Sequence, residues 1–188
     1  MDLPVEKDVT VESTIRLDEA LGVPATLLRE LCAVGRVRVA DSPQSVGRAV
    51  HLGRPWLQRG MRAMILDHQC DPRVLAEDIP LKILHEDDAL MVVSKPAGMS
   101  THPGPGHVAG TLSNALRGLG CALSSVEGDL RPGIVHRLDI GTSGAMIVAK
   151  LDDAHLKLTD MLARHEMEKR YLALVSGVPS WEKKTMES

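Results

Sequence analysis

The chain has 188 residues, room for one domain of ordinary size or two small ones. Its formal charge of −3 exerts no global pull on nucleic acid, and no stretch nears the roughly 18 continuous apolar residues of a membrane span. Cys32, Cys70 and Cys121 are odd in number and lack a Cys-x-x-Cys pair, which argues against a disulfide framework and a zinc site and for a reducing compartment.

Met1 to Ser13 carries Asp2, Glu6, Lys7, Asp8 and Glu12, with neither an apolar core nor an Arg-rich amphipathic pattern. No targeting peptide is read there, and a cytoplasmic location is expected, with an organellar one as the alternative. From Ile15 to Leu21 a helical pattern begins, Pro24 suits the first turn of a second helix, and Leu27, Leu28 and Leu31 mark that helix's inner face. Gly35 is placed to end it. Arg36-Val37-Arg38-Val39 alternates charge with valine and predicts a short strand with both arginines on its wet face. Between Thr14 and Leu66 lie eight arginines (16, 29, 36, 38, 48, 54, 59, 62), no lysine and four acids, a local excess of four positive charges. A solvated helix face is the common fate of such charge. The bias to arginine, whose fork suits phosphate, favours RNA contact, with Arg16, Arg29, Arg36 and Arg38 as candidates.

Residues 67–80, with Pro72 and Pro80, read as a linker. Beyond it, Ile83-Leu84 and Leu90-Met91-Val92-Val93 flank Glu86-Asp87-Asp88 as a hairpin. Thr111 to Leu119 predicts a short amphipathic helix, Cys121 to Leu130 a loop, Ala145 to Lys150 a strand, and Asp153 to about Met167 a helix capped by Asp152 or Asp153. A last strand is expected over Lys169 to Val175. The whole is α+β, a small α/β unit at 14–66 followed by a mixed, mainly antiparallel sheet domain over 81–188.

The candidate site is His136-Arg137-Leu138-Asp139-Ile140-Gly141-Thr142-Ser143-Gly144, running into the apolar Ala145-Met146-Ile147-Val148. This is how a loop presents a charged pair at a sheet edge, with Gly144 free to turn tightly and the Thr142 and Ser143 hydroxyls able to tie the loop to its backbone. By residue type alone, Asp139 is either a loop carboxylate paired with Arg137 or a catalytic acid. Gly104, Gly106 and Gly110 miss the dinucleotide fingerprint, so that loop is read as structural. His102 and His107 lack further ligands nearby, and no metal is expected.

Four motifs in order carry a resemblance: Glu86 to Met99 with its Lys95-Pro96-Ala97-Gly98 turn; His102-Pro103-Gly104 with Gly110-Thr111-Leu112-Ser113-Asn114-Ala115-Leu116; Arg131-Pro132-Gly133-Ile134-Val135 leading into His136-Arg137-Leu138-Asp139; and Glu168-Lys169-Arg170-Tyr171-Leu172-Ala173-Leu174-Val175-Ser176-Gly177. Over roughly residues 81–178 the chain resembles the RluA/RluD class of RNA pseudouridine synthases. The resemblance implies a cofactor-free isomerase acting on ribosomal or transfer RNA, ribosomal RNA first, and a monomer is expected. It implies that Asp139 attacks or deprotonates the ribose of the target uridine, the two routes remaining open. Arg137 would enter the space left by the flipped nucleotide, and Tyr171 would pack on the uracil. The family's domain continues past the counterpart of Gly177 with a Gly-Arg-x-His-Gln-Ile-Arg segment, whereas here Trp181 to Glu187 matches nothing in it, so an incomplete catalytic domain is expected. Its alternative function is RNA binding without catalysis. Residues 14–66 resemble a small RNA-binding module shared by a ribosomal small-subunit protein, tyrosyl-tRNA synthetases and many pseudouridine synthases. They depart from it where Ala40-Asp41-Ser42-Pro43 replaces Asn-Gly and Gly60-Met61 replaces Gly-Asp.

Overall fold

A computed structural model describes residues 5–42, 44–50, 55–67, 71, 73, 75–104, 107–178, 180–181 and 183–185. Arg54, Cys70, Pro72, Pro105 and Gly106 lie outside these.

The first half builds a four-stranded antiparallel sheet from β1 (Val5–Thr10), β3 (Val37–Ala40), β4 (Arg48–Ala49) and β6 (Arg62–Leu66), in the order β1-β6-β3-β4. A second, two-stranded pairing joins β2 (Ile15–Arg16) to β5 (Trp56–Leu57). Two helices, α1 (Leu17–Leu21) and α2 (Ala25–Ala33), belong to the same half, whose apolar core gathers Leu17, Leu21, Leu28, Cys32, Val37, Val39, Leu57 and Ile65. Pro24 caps α2 from outside, where its missing N–H costs nothing, and Gly35 takes a left-handed φ of 70° just past the helix. Cys32 turns inward and burial pushes its thiol pKa up, while Leu27, expected inside, is 41% exposed. The unit also begins earlier than its 14–66 span, because β1 pairs with β6 along its length.

The expected wet face of the Arg36–Val39 strand is not what forms. Arg38 is wholly buried and donates to the Val46 and Ala76 carbonyls, with Glu77, equally buried, 3.9 Å from its guanidinium. All four residues of β3 are buried, since the sheet is covered on the side where a two-residue alternation would have met solvent. Arg36 reaches Glu6 (3.0 Å) and the Leu66 carbonyl (3.0 Å).

Residues 75–78 make contacts with both halves. The Glu77 carboxylate accepts from the Ala49 N–H (2.6 Å) on one side and the Gly110 N–H (2.7 Å) on the other. The Glu77 N–H donates to the Asn114 carbonyl, and the Asn114 side chain donates to the Leu75 carbonyl (2.9 Å).

The second half is an antiparallel sheet in the order β7-β8-β9, formed by β7 (Lys82–Glu86), β8 (Leu90–Lys95) and β9 (Gly144–Ala149). The β7–β8 hairpin forms as the sequence predicts: Asp87 accepts from the Ala89 and Leu90 amides, which hold its carboxyl pKa below the usual range. Helix α3 (Leu112–Gly118) starts at Thr111, whose N–H donates to the Asn114 side chain (3.1 Å) while its hydroxyl accepts from the Asn114 N–H. Helix α4 (Asp152–Ala163) starts one residue earlier and ends sooner than expected. Asp152 does not cap it. Its carboxylate accepts from the Ser124 hydroxyl (2.7 Å) and Ser125 N–H (3.0 Å), tying the helix to the 121–130 loop. Met91, Val93, Leu112, Leu116, Ile134, Leu138, Met146 and Val148 form the second core.

Gly133 is required where it stands. Its φ is 67°, and a Cβ there would lie 2.3 Å from the Ala149 carbonyl oxygen, which cannot retreat because Gly133 and Ala149 are themselves hydrogen-bonded. Gly133→Ala should lower the unfolding free energy, read as a lower urea midpoint at unchanged m-value, by at least the strain of a left-handed backbone, about 1–3 kcal/mol. An unaltered midpoint would show that the 131–136 segment does not need this approach.

No strand forms over Lys169–Val175. Tyr171 is 64% exposed and Leu172 and Leu174 are fully so. The free side of β9 is already engaged: the His136 ring accepts the Ile147 N–H (3.0 Å), Ile134 bridges Val148, and the Ala149 N–H donates to Gly133. A segment with its own β-propensity still needs an unoccupied ladder to pair with.

Candidate active site

The His136–Gly144 loop leaves the bridge at Ile134 and enters β9 at Gly144, which is in register with Lys95 at the end of β8. Three contacts hold it. The Thr101 hydroxyl donates to the Leu138 carbonyl (2.8 Å), the Gly98 N–H to the Ile140 carbonyl (2.7 Å), and the Thr142 N–H closes a turn on the Asp139 carbonyl (3.0 Å). Leu138 is buried in the second core, so its neighbours Arg137 and Asp139 are forced outward, and both are exposed. Both are described residues, and no ion pair joins them. Asp139 is therefore presented rather than neutralised by the nearest arginine.

Beneath this loop lies Lys95, wholly buried, its ammonium donating to the Met99 (2.8 Å) and Pro96 (3.1 Å) carbonyls. Burial pushes its pKa down, and the negative charge of Asp139 offsets part of that. In the sequence Lys95 is only one letter of the Lys-Pro-Ala-Gly turn. The signal it gives there is a lysine at a strand end before proline, where the backbone turns and the side chain must fold back on its own turn.

A cavity of about 750 Å³ opens beside the loop, lined by Leu138, Thr142, Ser143 and Gly144 on one wall, Ala145 and Ile147 on β9, and Lys169, Arg170 and Tyr171 on the other. Tyr171 thus faces the same space as the Thr142–Gly144 end of the loop. Asp139 is not part of its wall. Arg137 lines a second cavity of about 220 Å³, and His136 lines both.

His136 is the hinge of the loop. Because its Nε2 accepts a backbone N–H, the ring is neutral with its proton on Nδ1, and burial, with Lys169 nearby, pushes its pKa below the ordinary value. His102 is lowered too, by burial first and then by Arg131 and Arg137. Both rings resist protonation when folded and accept it when unfolded at about pH 6.5. The unfolded state binds more protons in the window below that value, so stability present above about pH 6.5 is lost as pH falls towards the folded pKa values. Urea midpoints measured from pH 7.5 to 5 should decline, and His136→Gln should flatten the decline. A pH-independent midpoint would contradict the depressed imidazoles.

The four arginine candidates of the first half are dispersed. Arg16 pairs with Asp18 (2.8 Å) and Glu19 (3.8 Å), Arg36 with Glu6, and Arg38 is interior. Arg62 is paired with Asp8. Among the described residues, the exposed arginines of this half are Arg29, Arg48 and Arg59. Among the described residues no group of side chains is arranged to hold a metal ion, and no helix is long and apolar enough to cross a membrane.

Residues 89–188 match the RNA pseudouridylate synthase family, and the chain belongs to that family. Similar proteins include the uncharacterized RNA pseudouridine synthase YlyB of Bacillus subtilis, 45% identical over 115 residues that span 61% of this chain and 38% of that one. Ribosomal large subunit pseudouridine synthase D of Zymomonas mobilis is 52% identical over 106 residues, 55% of this chain and 33% of its own. RNA pseudouridine synthase 2, chloroplastic, of Arabidopsis thaliana is 39% identical over 133 residues, covering 56% and 31%. The chain spans about a third of the length of these relatives.

Proposed function

We propose that this protein isomerises uridine to pseudouridine in structured RNA, ribosomal RNA first, with Asp139 acting at the ribose, Arg137 filling the space of the extruded nucleotide and Tyr171 packing against the uracil. The observation that carries the reading is the family match across a loop whose carboxylate, Asp139, is exposed while its backbone is held by Thr101. A carboxylate there can attack the anomeric carbon or take a proton from its neighbour, and either step frees the base to rotate and rejoin through carbon 5. The 5-hydrogen of the uridine leaves in that exchange. Release of tritium from ribosomal RNA carrying 5-tritiated uridine tests it; no release above the no-enzyme rate on ribosomal or transfer RNA would refute it. The name of the Zymomonas relative supports ribosomal RNA as the first substrate to try.

A second reading, RNA binding without turnover, draws support from Tyr171, which stands 64% exposed on a segment without strand pairing. It predicts binding but no tritium release.

The 14–66 unit is proposed as an RNA contact surface, narrowed to Arg29, Arg48 and Arg59, because the other described arginines there are engaged by the protein's own acids and carbonyls. Replacing these three by glutamine should reduce the salt dependence of RNA binding by about 0.7–0.9 in log–log slope for each phosphate that is no longer neutralised. An unchanged slope in fluorescence anisotropy would make them a solvated face.

A further inference from the structure

The smaller cavity, beside Arg137, holds an unexplained buried group. His155 on α4 is 1% exposed, and among the described residues both its ring nitrogens lack any hydrogen-bond partner; His102, on the same wall, has a buried Nδ1 in the same condition. A neutral imidazole carries one donor and one acceptor, and buried groups of this kind are nearly always hydrogen-bonded, so a ligand is expected at the cavity these two residues line.

The charge around them selects its sign. Arg131 and Arg137 both line the cavity, and both lie close enough to His102 to depress its pKa. The acid on the wall is Glu127, at the exposed rim and paired with Arg131 at 3.5 Å, while Asp152, close enough to His155 for their charges to interact, is held by the Ser124 hydroxyl and the Ser125 N–H. Two guanidinium groups and imidazole N–H donors around about 220 Å³ make a site for an oxyanion with several acceptor oxygens. The position narrows it further, since Arg137 is two residues from Asp139 and shares its loop.

We propose that this cavity binds a backbone phosphate of the RNA substrate next to the target nucleotide, with Arg131 and His155 as its recognition residues. The assignment rests on the pseudouridine synthase reading. In that arrangement Arg131 turns from Glu127 to the phosphate, His155 donates one N–H to a phosphate oxygen, and the strand is pinned beside Arg137, at a cavity that Tyr171 does not line. Phosphate contacts of this type fix register rather than sequence.

The test has two arms on the full chain. First, the imidazole NMR signals of His155 and His102 are followed during titration with inorganic phosphate; they should shift saturably in the wild type and several-fold more weakly in Arg131→Gln. Second, binding of a labelled ribosomal RNA hairpin is measured against salt for the wild type, His155→Asn and Arg131→Gln. Each variant should bind several-fold more weakly, and Arg131→Gln, whose exposed side chain leaves the core untouched, should lower the log–log slope by about 0.7–0.9. If the wild type binds RNA but Arg131→Gln keeps its slope and phosphate leaves both rings unmoved, the cavity is not a phosphate site and the functional reading stands. If phosphate shifts the rings but the wild-type chain binds no RNA, the RNA assignment fails together with the functional reading.

Discussion

Asp139→Ala should abolish pseudouridine formation while leaving RNA affinity within a few-fold of wild type. One exposed loop carboxylate adds nothing to phosphate binding, and its removal leaves the loop's supports in place: the Thr101, Gly98 and Thr142 contacts all involve backbone carbonyls of the loop rather than the Asp139 side chain. The fold should therefore persist, and Lys95 will remain buried with its two carbonyl partners. Loss of a group that forms or breaks a bond in the reaction removes transition-state stabilisation at unchanged ground-state binding, so kcat should fall by several orders of magnitude with KM little changed. Tritium release and anisotropy on the same RNA read the two quantities separately. Turnover of Asp139→Ala near the wild-type rate would move the chemistry to another residue.

The largest stability loss is expected from Glu77→Ala. The substitution strips a buried carboxylate from the interior Arg38 guanidinium and from the Ala49 and Gly110 amides at once. Breaking a buried pair by removing one partner leaves an uncompensated charge and costs about 3–5 kcal/mol. That is a large fraction of the roughly 5–15 kcal/mol that holds a typical domain folded. Glu77→Gln, which keeps an acceptor but not the charge, should lose less. Because the two amides come from opposite halves of the chain, their hydrogen exchange should rise together in the alanine variant while amides inside β8 stay protected. Wild-type exchange at Ala49 and Gly110 in that variant would mean that Glu77 does not join the halves.

The two variants separate what local sequence encodes from what packing creates. The β7–β8 hairpin, the helix that begins near Thr111, the end of α2 at Gly35 and a loop that presents Arg137 and Asp139 were legible, because each depends on residues within a few positions of one another. Family membership was legible for a related reason: motif order survives in one dimension.

The failures all concern residues whose environment comes from far along the chain. Alternation in Arg36–Val39 could not show that the second face of β3 is covered by residues near 46 and 76, which turn Arg38 inward. Nothing in 67–80 marked Glu77 as a joint between halves, since its partners lie 28 and 33 residues away. Lys169–Val175 has the composition of a strand, but the residues from Gly133 to His136 already occupy the edge of β9, and β-propensity without a free ladder leaves the chain exposed. Residue order was therefore enough for the family, the local elements and the loop that carries Asp139. Which charges are spent inside the protein and which remain for a ligand was settled by packing, because burial and pairing are set by neighbours that only folding brings together.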